Sequence, residues 1–250
     1  MYWRYFLLFL SFSLSAPGWS AQVQPLYIYN TPPPFYPDAP DNLSHKLAYW
    51  LTDHSEGRFK FETKYLPRKR LDNLIAQDNW QGAVIWANPI WFRDAQKLHY
   101  LWSVPLATDY NLVLSHRHKP VEYHAPESLS GLKLGGILGH VYTEFEEMVK
   151  EGKLTRENTI TYQQNLEKLK ARRVDVIFLP ASAFTIIKNH HPDIDAWLHI
   201  SRQPRNKFQY YIFCQSSNIQ LMDYIDKEII RLHANRQWME IFNAWRKHVE

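Results

Sequence analysis

The sequence has few of the residues and patterns that mark the common enzyme classes. A single cysteine, Cys214, occurs among 250 residues, which excludes an intramolecular disulfide and leaves stability to the core. No Gly-x-Ser-x-Gly, His-Glu-x-x-His or phosphate-binding glycine-rich pattern occurs, and residues 135–139 do not fit a dinucleotide-binding motif. These absences favour a protein without catalytic activity, and nothing in the sequence indicates a cofactor.

An excess of charge of one sign is also missing. The chain carries 29 Lys and Arg against 25 Asp and Glu, a formal net charge of +4, and these residues are spread along its length. The one dense basic cluster is Arg68, Lys69 and Arg70. Because nucleic-acid binding needs a broader basic face, we expect no nucleic-acid partner.

Long apolar runs are missing except near the N-terminus. There, Arg4 precedes an apolar run at residues 5–14, and small residues follow the run. It is shorter than the roughly 20 residues that span a bilayer, and the arrangement is typical of a secretory signal peptide. We expect cleavage after Ser20, with Ala21 as the alternative, and export to the periplasm. A buried N-terminal helix is the other interpretation, but the run has no charged residues to give it a solvent face.

The rest of the chain alternates between strand-like and helix-like segments. Short segments, several of them continuously apolar as in strands covered on both faces, are predicted strands: residues 25–29, 59–65, 82–87, 111–115, 133–138, 174–179 and 209–213. Amphipathic segments are predicted helices: residues 43–52, 68–76, 143–150, 165–171, 181–188, 219–233 and 236–249. This alternation predicts an α/β fold with parallel sheets and crossover helices.

Four short motifs along the chain are similar to motifs that occur, in the same order, in one known protein family. Trp102-Ser103-Val104-Pro105 is similar to Phe-Ser-x-Pro, and residues 128–139 are similar to a Leu-x-Gly-Lys-x-Val-Gly-x-x-x-Gly segment. Residues 171–177 and 241–245 are similar to Gly-Arg-Val-Asp-Ala-Val and to a closing Ile-Tyr-x-x-Trp. In this order the motifs resemble the type-2 periplasmic solute-binding family, which includes the polar amino-acid receptors of ABC importers.

The resemblance implies two α/β lobes, each a mostly parallel sheet flanked by helices, joined by two crossing strands. Lobe one would comprise residues 22–110 and 213–250, lobe two would comprise residues 115–208, and hinges would lie near 110–115 and 208–213. A small-molecule ligand would bind between the lobes, which close around it by hinge motion. Open α/β sheets bind ligands beyond the carboxyl ends of their strands, so the loops after the strands are the candidate site.

Amino-acid receptors of this family clamp the ligand's carboxylate with an arginine, whose planar guanidinium binds it in a bidentate manner. Counted forward from Trp86 and Asn88, the matching position is Arg93; counted backward from Ser103, it is Gln96. The resemblance therefore implies a short insertion after Arg93. It leaves two interpretations of Arg93, a ligand contact and a solvated surface arginine, and it places Asn88 at the cleft.

Pro180 departs from the family pattern. Amino-acid receptors have an aspartate at this position, which pairs with the ligand's ammonium group, whereas Pro180 has neither a charge nor an N–H. No acid occurs between residues 178 and 188 to replace it. We therefore expect a ligand other than an ordinary α-amino acid.

Aromatic residues are abundant, with 10 Trp, 15 Tyr and 13 Phe. The resemblance places Tyr29, Phe35, Trp86 and Trp91 at the cleft, where their rings would stack on a planar ligand or hold an organic cation. The alternative for each ring is a place in the core.

Polar candidates lie on two further segments. His140 and Tyr142 follow the predicted strand at 133–138 and are candidates for hydrogen bonds to a ligand. Arg68 lies at a helix start facing the cleft, where a cation is unfavourable unless it has an anionic partner; a solvated face is the alternative. The histidines at 116, 118, 124, 190 and 191 do not form the three or four converging ligands of a metal site, so we expect no metal.

Together these features predict a periplasmic solute-binding protein. It would capture a small organic ligand, anionic or containing an aromatic group, as a monomer, and deliver it to a membrane permease for ABC import. The alternatives are a ligand-sensing protein that feeds a membrane receptor and a periplasmic enzyme on the same scaffold.

Overall fold

The computed structural model describes residues 21–29, 32–35, 38, 42–77, 79–140 and 142–249. The predicted signal peptide at residues 1–20 lies outside these residues. In chain order, the strands are β1 (Gln22–Ile28), β2 (Phe59–Tyr65), β3 (Ala83–Ala87), β4 (Tyr100–Trp102), β5 (Ala107–His116), β6 (Lys133–Ile137), β7 (Thr155–Thr159), β8 (Val176–Pro180), β9 (Leu198–Ile200) and β10 (Asn206–Gln215). The helices are α1 (Leu43–Asp53), α2 (Arg68–Ile75), α3 (Glu146–Lys150), α4 (Tyr162–Lys170), α5 (Ala181–His190), α6 (Ile194–Trp197), α7 (Ile219–Ala234) and α8 (Arg236–Arg246), with short 3-10 helices at Pro89–Phe92, Pro126–Leu129 and Thr143–Phe145.

The strands follow one another in the order β2-β1-β3-β10-β5-β8-β6-β7, and this path passes through two lobes. In lobe one, β1 pairs in parallel with β2 and β3. In lobe two, β6 pairs in parallel with β7 and β8. The long strands β5 and β10 are antiparallel to each other and cross between the lobes. The two-lobed α/β architecture predicted from the sequence is therefore confirmed, whereas the residue boundaries given for the lobes stay a prediction.

Local sequence explains where the principal elements begin. Strands β3 and β8 are buried along their whole length, as expected of apolar strands covered on both faces. Helix α1 begins after Asn42, whose side chain accepts the backbone N–H groups of Ser44 and His45. Helix α4 begins after Thr161 with a capping box completed by Gln164.

Some elements differ from the sequence prediction. The short strands β4, β7 and β9 were not expected, because β4 and β9 have three residues each and β7 has the polar sequence TRENT. The capping box also starts α4 three residues earlier than the predicted Asn165. The crossing strands β5 and β10 extend beyond the predicted segments at both ends. Their N-terminal extensions pair with each other, and their C-terminal extensions pair with β9 and with β3 and β4.

A cluster of buried aromatic rings joins lobe one to the crossing strands and the C-terminal helix. The ring of Phe35 lies 4.5 Å from that of Trp86, 5.0 Å from Tyr210 and 6.1 Å from Trp245. Each of these four side chains is buried, and burial of one large apolar side chain contributes about 1.5–3 kcal/mol. This cluster therefore packs lobe one against β10 and α8.

Helix α8 contacts both lobes. Trp245 packs on Phe35 of lobe one, while the His248 Nε2, just beyond the helix, lies 2.9 Å from the Thr185 Oγ1 on α5 of lobe two. The His248 ring also packs edge-on against Phe184 at 4.9 Å. Within the described ranges, no helix has the length and apolar character needed to cross a membrane.

Candidate ligand site between the lobes

Arg68 anchors the wall that lobe one presents to the cleft. Its guanidinium lies over the ring of Phe92 at 4.1 Å and over that of Tyr29 at 5.5 Å. The Nε donates to the Asp72 Oδ1 at 2.7 Å, and the Nη2 donates to the carbonyl oxygen of Trp91 at 2.6 Å. Arg68 therefore joins the start of α2 to the loop after β3, and Asp72 partly balances its charge.

The loop after β3 is fixed by Asn88. Its side-chain oxygen caps the 3-10 helix at Pro89–Phe92, and its Nδ2 donates to the carbonyl oxygen of Gln209 on β10 at 2.9 Å. This places the Trp91 ring 5.3 Å from Phe208 and 6.0 Å from Tyr210. Since Trp91 remains 36% exposed, it offers an open aromatic face at the junction of lobe one with a crossing strand.

The loop after β6 forms the facing wall, in lobe two. The Tyr142 ring contacts two guanidinium groups, that of Arg156 at 4.6 Å and that of Arg205 at 4.9 Å. Arg156 also donates to the carbonyl oxygen of His140 at 2.8 Å. The His140 ring lies 6.0 Å from Tyr162 at the start of α4. Two arginines thus hold this loop, and Arg156 has no carboxylate partner among the described residues.

Electrostatic effects connect the two walls. Desolvation by the surrounding protein and the positive charges of Arg156, Arg205 and Arg68 lower the pKa of His140 to about 4. Burial raises the pKa of Tyr162 strongly, and the nearby phenol of Tyr29 contributes in the same direction. Arg68 and Tyr29 belong to lobe one, whereas His140 and Tyr162 belong to lobe two. Charges and phenols of one lobe therefore act electrostatically on His140 and Tyr162 of the other lobe.

Arg93 lies apart from this group. It is exposed at the end of the 3-10 helix, in a left-handed backbone conformation with a φ of 56°. The next residue, Asp94, is buried and accepts the backbone N–H groups of Leu98, His99 and Tyr100. The Asp94 Oδ2 also accepts the Trp102 Nε1–H at 2.7 Å. The extra residues inferred after Arg93 thus form a loop closed on Asp94, a role that no motif in the sequence indicated.

Phe35 and Trp86 occupy the core, the alternative foreseen for them. Both side chains are fully buried, and the Trp86 Nε1–H donates to the Ser44 Oγ at 2.9 Å. Tyr29 is half-buried and its hydroxyl donates to the carbonyl oxygen of Trp86 at 3.2 Å. The structure thus brings Tyr29, Arg68, Asn88 and Trp91 together on one wall and His140 and Tyr142 on the other; ligand contact by any of the nine predicted residues stays a prediction.

A buried acid near the cleft was missed by sequence reasoning. Asp109 on β5 is completely buried and lies at the start of α5, where its carboxylate accepts the Ser182 hydroxyl at 2.6 Å and the Ser182 N–H at 3.2 Å. The Tyr210 hydroxyl donates to it at 3.2 Å. Burial raises the pKa of Asp109 to about 6, although these hydrogen bonds oppose the rise. Asp109 shares the buried face of β5 with Ala107, a placement that the polar residues around it in the sequence did not indicate.

Two other kinds of site, a metal site and a second surface concavity, are relevant outside the cleft. No group of three or more His, Cys, Asp or Glu side chains in the described chain is arranged to hold a metal ion. A concavity of about 400 Å³ lies away from the cleft, between the N-terminal ends of β1 and β2 and helix α7, and is lined by Gln22, Arg58, Phe59, Tyr224 and Lys227 among others.

The fold is that of the type-2 periplasmic binding proteins, as the motifs predicted. A mutant of ArgBP from T. maritima superposes with a TM-score of 0.66 at 14% identity, covering 90% of this chain and 95% of that one. The amino acid ABC transporter substrate-binding protein AbpA from Streptococcus pneumoniae, bound to L-arginine, gives 0.64 at 16% identity, covering 91% and 96%. The GluR0 ligand-binding core with L-glutamate gives 0.67 at 12% identity, covering 92% and 99%.

These identities establish a likeness of fold. No protein-family model matches the sequence, and no curated protein matches it either. The structures named above are binding proteins or a ligand-binding core. Because a shared fold does not establish a shared function, function must be argued from the cleft itself.

Proposed function

We propose that this protein is an exported solute-binding protein that captures a small organic ligand between its lobes and delivers it to the permease of an ABC importer. The observation that carries this proposal is that each lobe presents guanidinium groups packed on aromatic rings. Arg68 lies on Tyr29 and Phe92 in lobe one, and Arg156 and Arg205 lie on Tyr142 in lobe two. Groups from two hinged lobes that meet across a cleft enclose a ligand when the lobes close.

The charges of the cleft support an anionic ligand. Arg68 is balanced by Asp72 and Arg205 by Glu144, but Arg156 has no acidic partner among the described residues. A carboxylate on the ligand would supply the missing negative charge and accept guanidinium hydrogen bonds.

The same region offers little to an ammonium group. Pro180 ends β8 where amino-acid receptors have an acid. Asp109, which bonds Ser182 two residues beyond Pro180, is buried with four donors already bound. The exposed face of Trp91 favours a ligand that also has a planar or aromatic part. Amino acids nevertheless form a necessary comparison, because the solved structures of this fold include complexes with L-arginine and L-glutamate.

Thermal unfolding of the purified exported protein with a library of compounds tests the proposal. The library holds aliphatic carboxylates, aromatic carboxylates, organic cations and L-amino acids. A ligand at one hundred times its Kd should add about 2.7 kcal/mol to the free energy of unfolding. Stabilisation by a carboxylate supports the proposal; stabilisation by L-amino acids alone would overturn the ligand class, and no stabilisation by any class would overturn solute capture.

A further inference from the structure

Asp109 lies where the two crossing strands and lobe two meet. It is opposite Phe208 in the antiparallel pairing of β5 with β10, and none of its surface is exposed. A buried carboxylate is costly unless its oxygens are hydrogen-bonded. Four donors satisfy it: the Tyr110 N–H at 2.7 Å, the Ser182 N–H and hydroxyl, and the Tyr210 hydroxyl.

These donors belong to separate parts of the fold. Ser182 is in the first turn of α5, in lobe two, and is itself fully buried. Tyr210 is on the crossing strand β10. One side chain therefore connects a helix of lobe two to both strands that join the lobes.

Tyr210 carries the connection on to the cleft. Its buried ring lies 6.0 Å from Trp91, the exposed aromatic face of the cleft wall, and 5.1 Å from Phe208. The same ring contacts Trp86 at 5.8 Å in the core of lobe one. Because buried side chains are closely packed, a shift of Tyr210 caused by a change at its hydroxyl would displace the Trp91 ring that it contacts.

We propose that Asp109 is a positioning residue of the cleft: its carboxylate fixes Tyr210, and Tyr210 fixes Trp91 in the cleft wall. The proposal depends on the proposed function in one respect only, namely that Trp91 contacts a ligand. The positioning itself is a property of the unliganded protein.

The network is also expected to respond to pH. Burial raises the pKa of Asp109 to about 6, and the titratable groups facing it are the phenols of Tyr210 on β10 and Tyr162 on α4. Helix α5 presents only the amide and hydroxyl of Ser182 to it, and β5 adds the Tyr110 amide. Among the described residues no cation forms an ion pair with Asp109. Protonation would therefore give one of its two oxygens an O–H that must donate, while the other oxygen still accepts.

Fluorine NMR of the unliganded protein labelled with 5-fluorotryptophan tests the proposal. The Trp91 resonance is assigned as the one missing from the Trp91→Phe variant. In the wild type it should shift between pH 4.5 and 7.5 with a midpoint near 6. In Asp109→Asn the pH-dependent shift should disappear, and the resonance should lie at a new position.

Asp226→Asn is the matched control, because Asp226 also accepts a backbone N–H, from Val104 at 2.8 Å, but lies on α7 outside this network. It should keep the wild-type response of Trp91. An unchanged pH response in Asp109→Asn would overturn the proposal. Should that variant fail to fold, Tyr210→Phe decides, since it keeps the ring and removes the hydroxyl: loss of the response supports the proposal and its retention refutes it. No ligand is present, so failure here leaves solute capture untouched.

Discussion

Asp109 accepts hydrogen bonds from both the backbone N–H and the hydroxyl of Ser182. An acid therefore contacts the start of α5, even though β8 ends at Pro180, which has no charge. The antiparallel pairing of β5 with β8 places Asn111 opposite Pro180 and brings Asp109 to the helix. A helix N-terminus attracts anions, and here the protein's own carboxylate occupies it. The ligand's anionic group is therefore expected to bind elsewhere, toward the arginines.

The pH dependence of stability should report this buried acid. Burial raises the pKa of Asp109 from 3.8 to about 6, so between these values the folded state keeps a proton that the unfolded state has lost. The contribution of Asp109 to the free energy of unfolding is therefore full below about pH 4 and falls as the pH rises through 6, by about 2–3 kcal/mol. Urea unfolding from pH 4 to 7.5 should show this fall in the wild type relative to Asp109→Asn. Asp223→Asn, which removes an exposed acid, should follow the wild type, and parallel curves for wild type and Asp109→Asn would contradict the prediction.

The fold was largely predictable from the sequence, because local patterns determine most of its elements. Strand β2 has the predicted bounds, 59–65, and helix α5 begins at the predicted Ala181. Continuous apolar runs marked β3 and β8 as covered strands. The patterns did not predict the three-residue strands β4 and β9. They also missed the polar edge strand β7, whose residues carry no alternation of apolar and polar side chains.

The site was predictable only in part, because it depends on contacts between distant segments. The loops around Trp91 and His140 directly follow predicted strands. The rule that ligands bind beyond the carboxyl ends of strands therefore identified these loops from the sequence. The role of Asp109 depends on a hydrogen bond to a residue 73 positions away, and that of Arg205 on rings from β8 and from the loop after β6. Strand register and lobe packing create such contacts, and neither can be derived from spacing along one sequence.

Replacement of Asp94 should disrupt the loop that precedes β4. Burial alone would raise the pKa of Asp94, but hydrogen bonds from Trp102, His99, Leu98 and Tyr100 outweigh this effect and lower it. Asp94→Ala leaves those donors without their acceptor and should lower the free energy of unfolding by about 2–4 kcal/mol, measured by urea unfolding at pH 7. Asp94→Asn keeps one acceptor oxygen and should lose less. Equal stability of Asp94→Ala and the wild type would mean that the loop is held by other contacts.

His140 should titrate well below the usual range of histidine. Its pKa is lowered to about 4 by desolvation and by Arg156, Arg205 and Arg68, so the unfolded state takes up a proton first as the pH falls from 6.5 toward 4. Stability from this group is therefore present above about pH 6.5 and is lost within that window. NMR titration of the imidazole should give a midpoint near 4, and Arg156→Gln should raise it. A midpoint near 6.5 in the wild type would contradict the burial of the imidazole and the effect of the arginine charges on it.

A comparison of two arginines should locate the anion contact. Arg156→Ala removes a cleft guanidinium that has no acidic partner among the described residues and should weaken binding of a stabilising carboxylate by about 10- to 100-fold. Arg93→Ala removes an exposed guanidinium at the end of the 3-10 helix after β3 and should leave the affinity within about twofold. Isothermal titration calorimetry of both variants measures the difference, with circular dichroism to check folding. The reverse order of effects would assign the ligand's carboxylate to Arg93, as the family spacing allowed.

Hydrogen–deuterium exchange with and without the best stabilising compound tests solute capture between the lobes most directly. The account predicts protection, in the same complex, of the loop around residues 88–93 in lobe one and the loop around residues 138–143 in lobe two. Protection confined to the outer concavity around Arg58 and Tyr224, or to one lobe alone, would contradict capture by closure of the cleft.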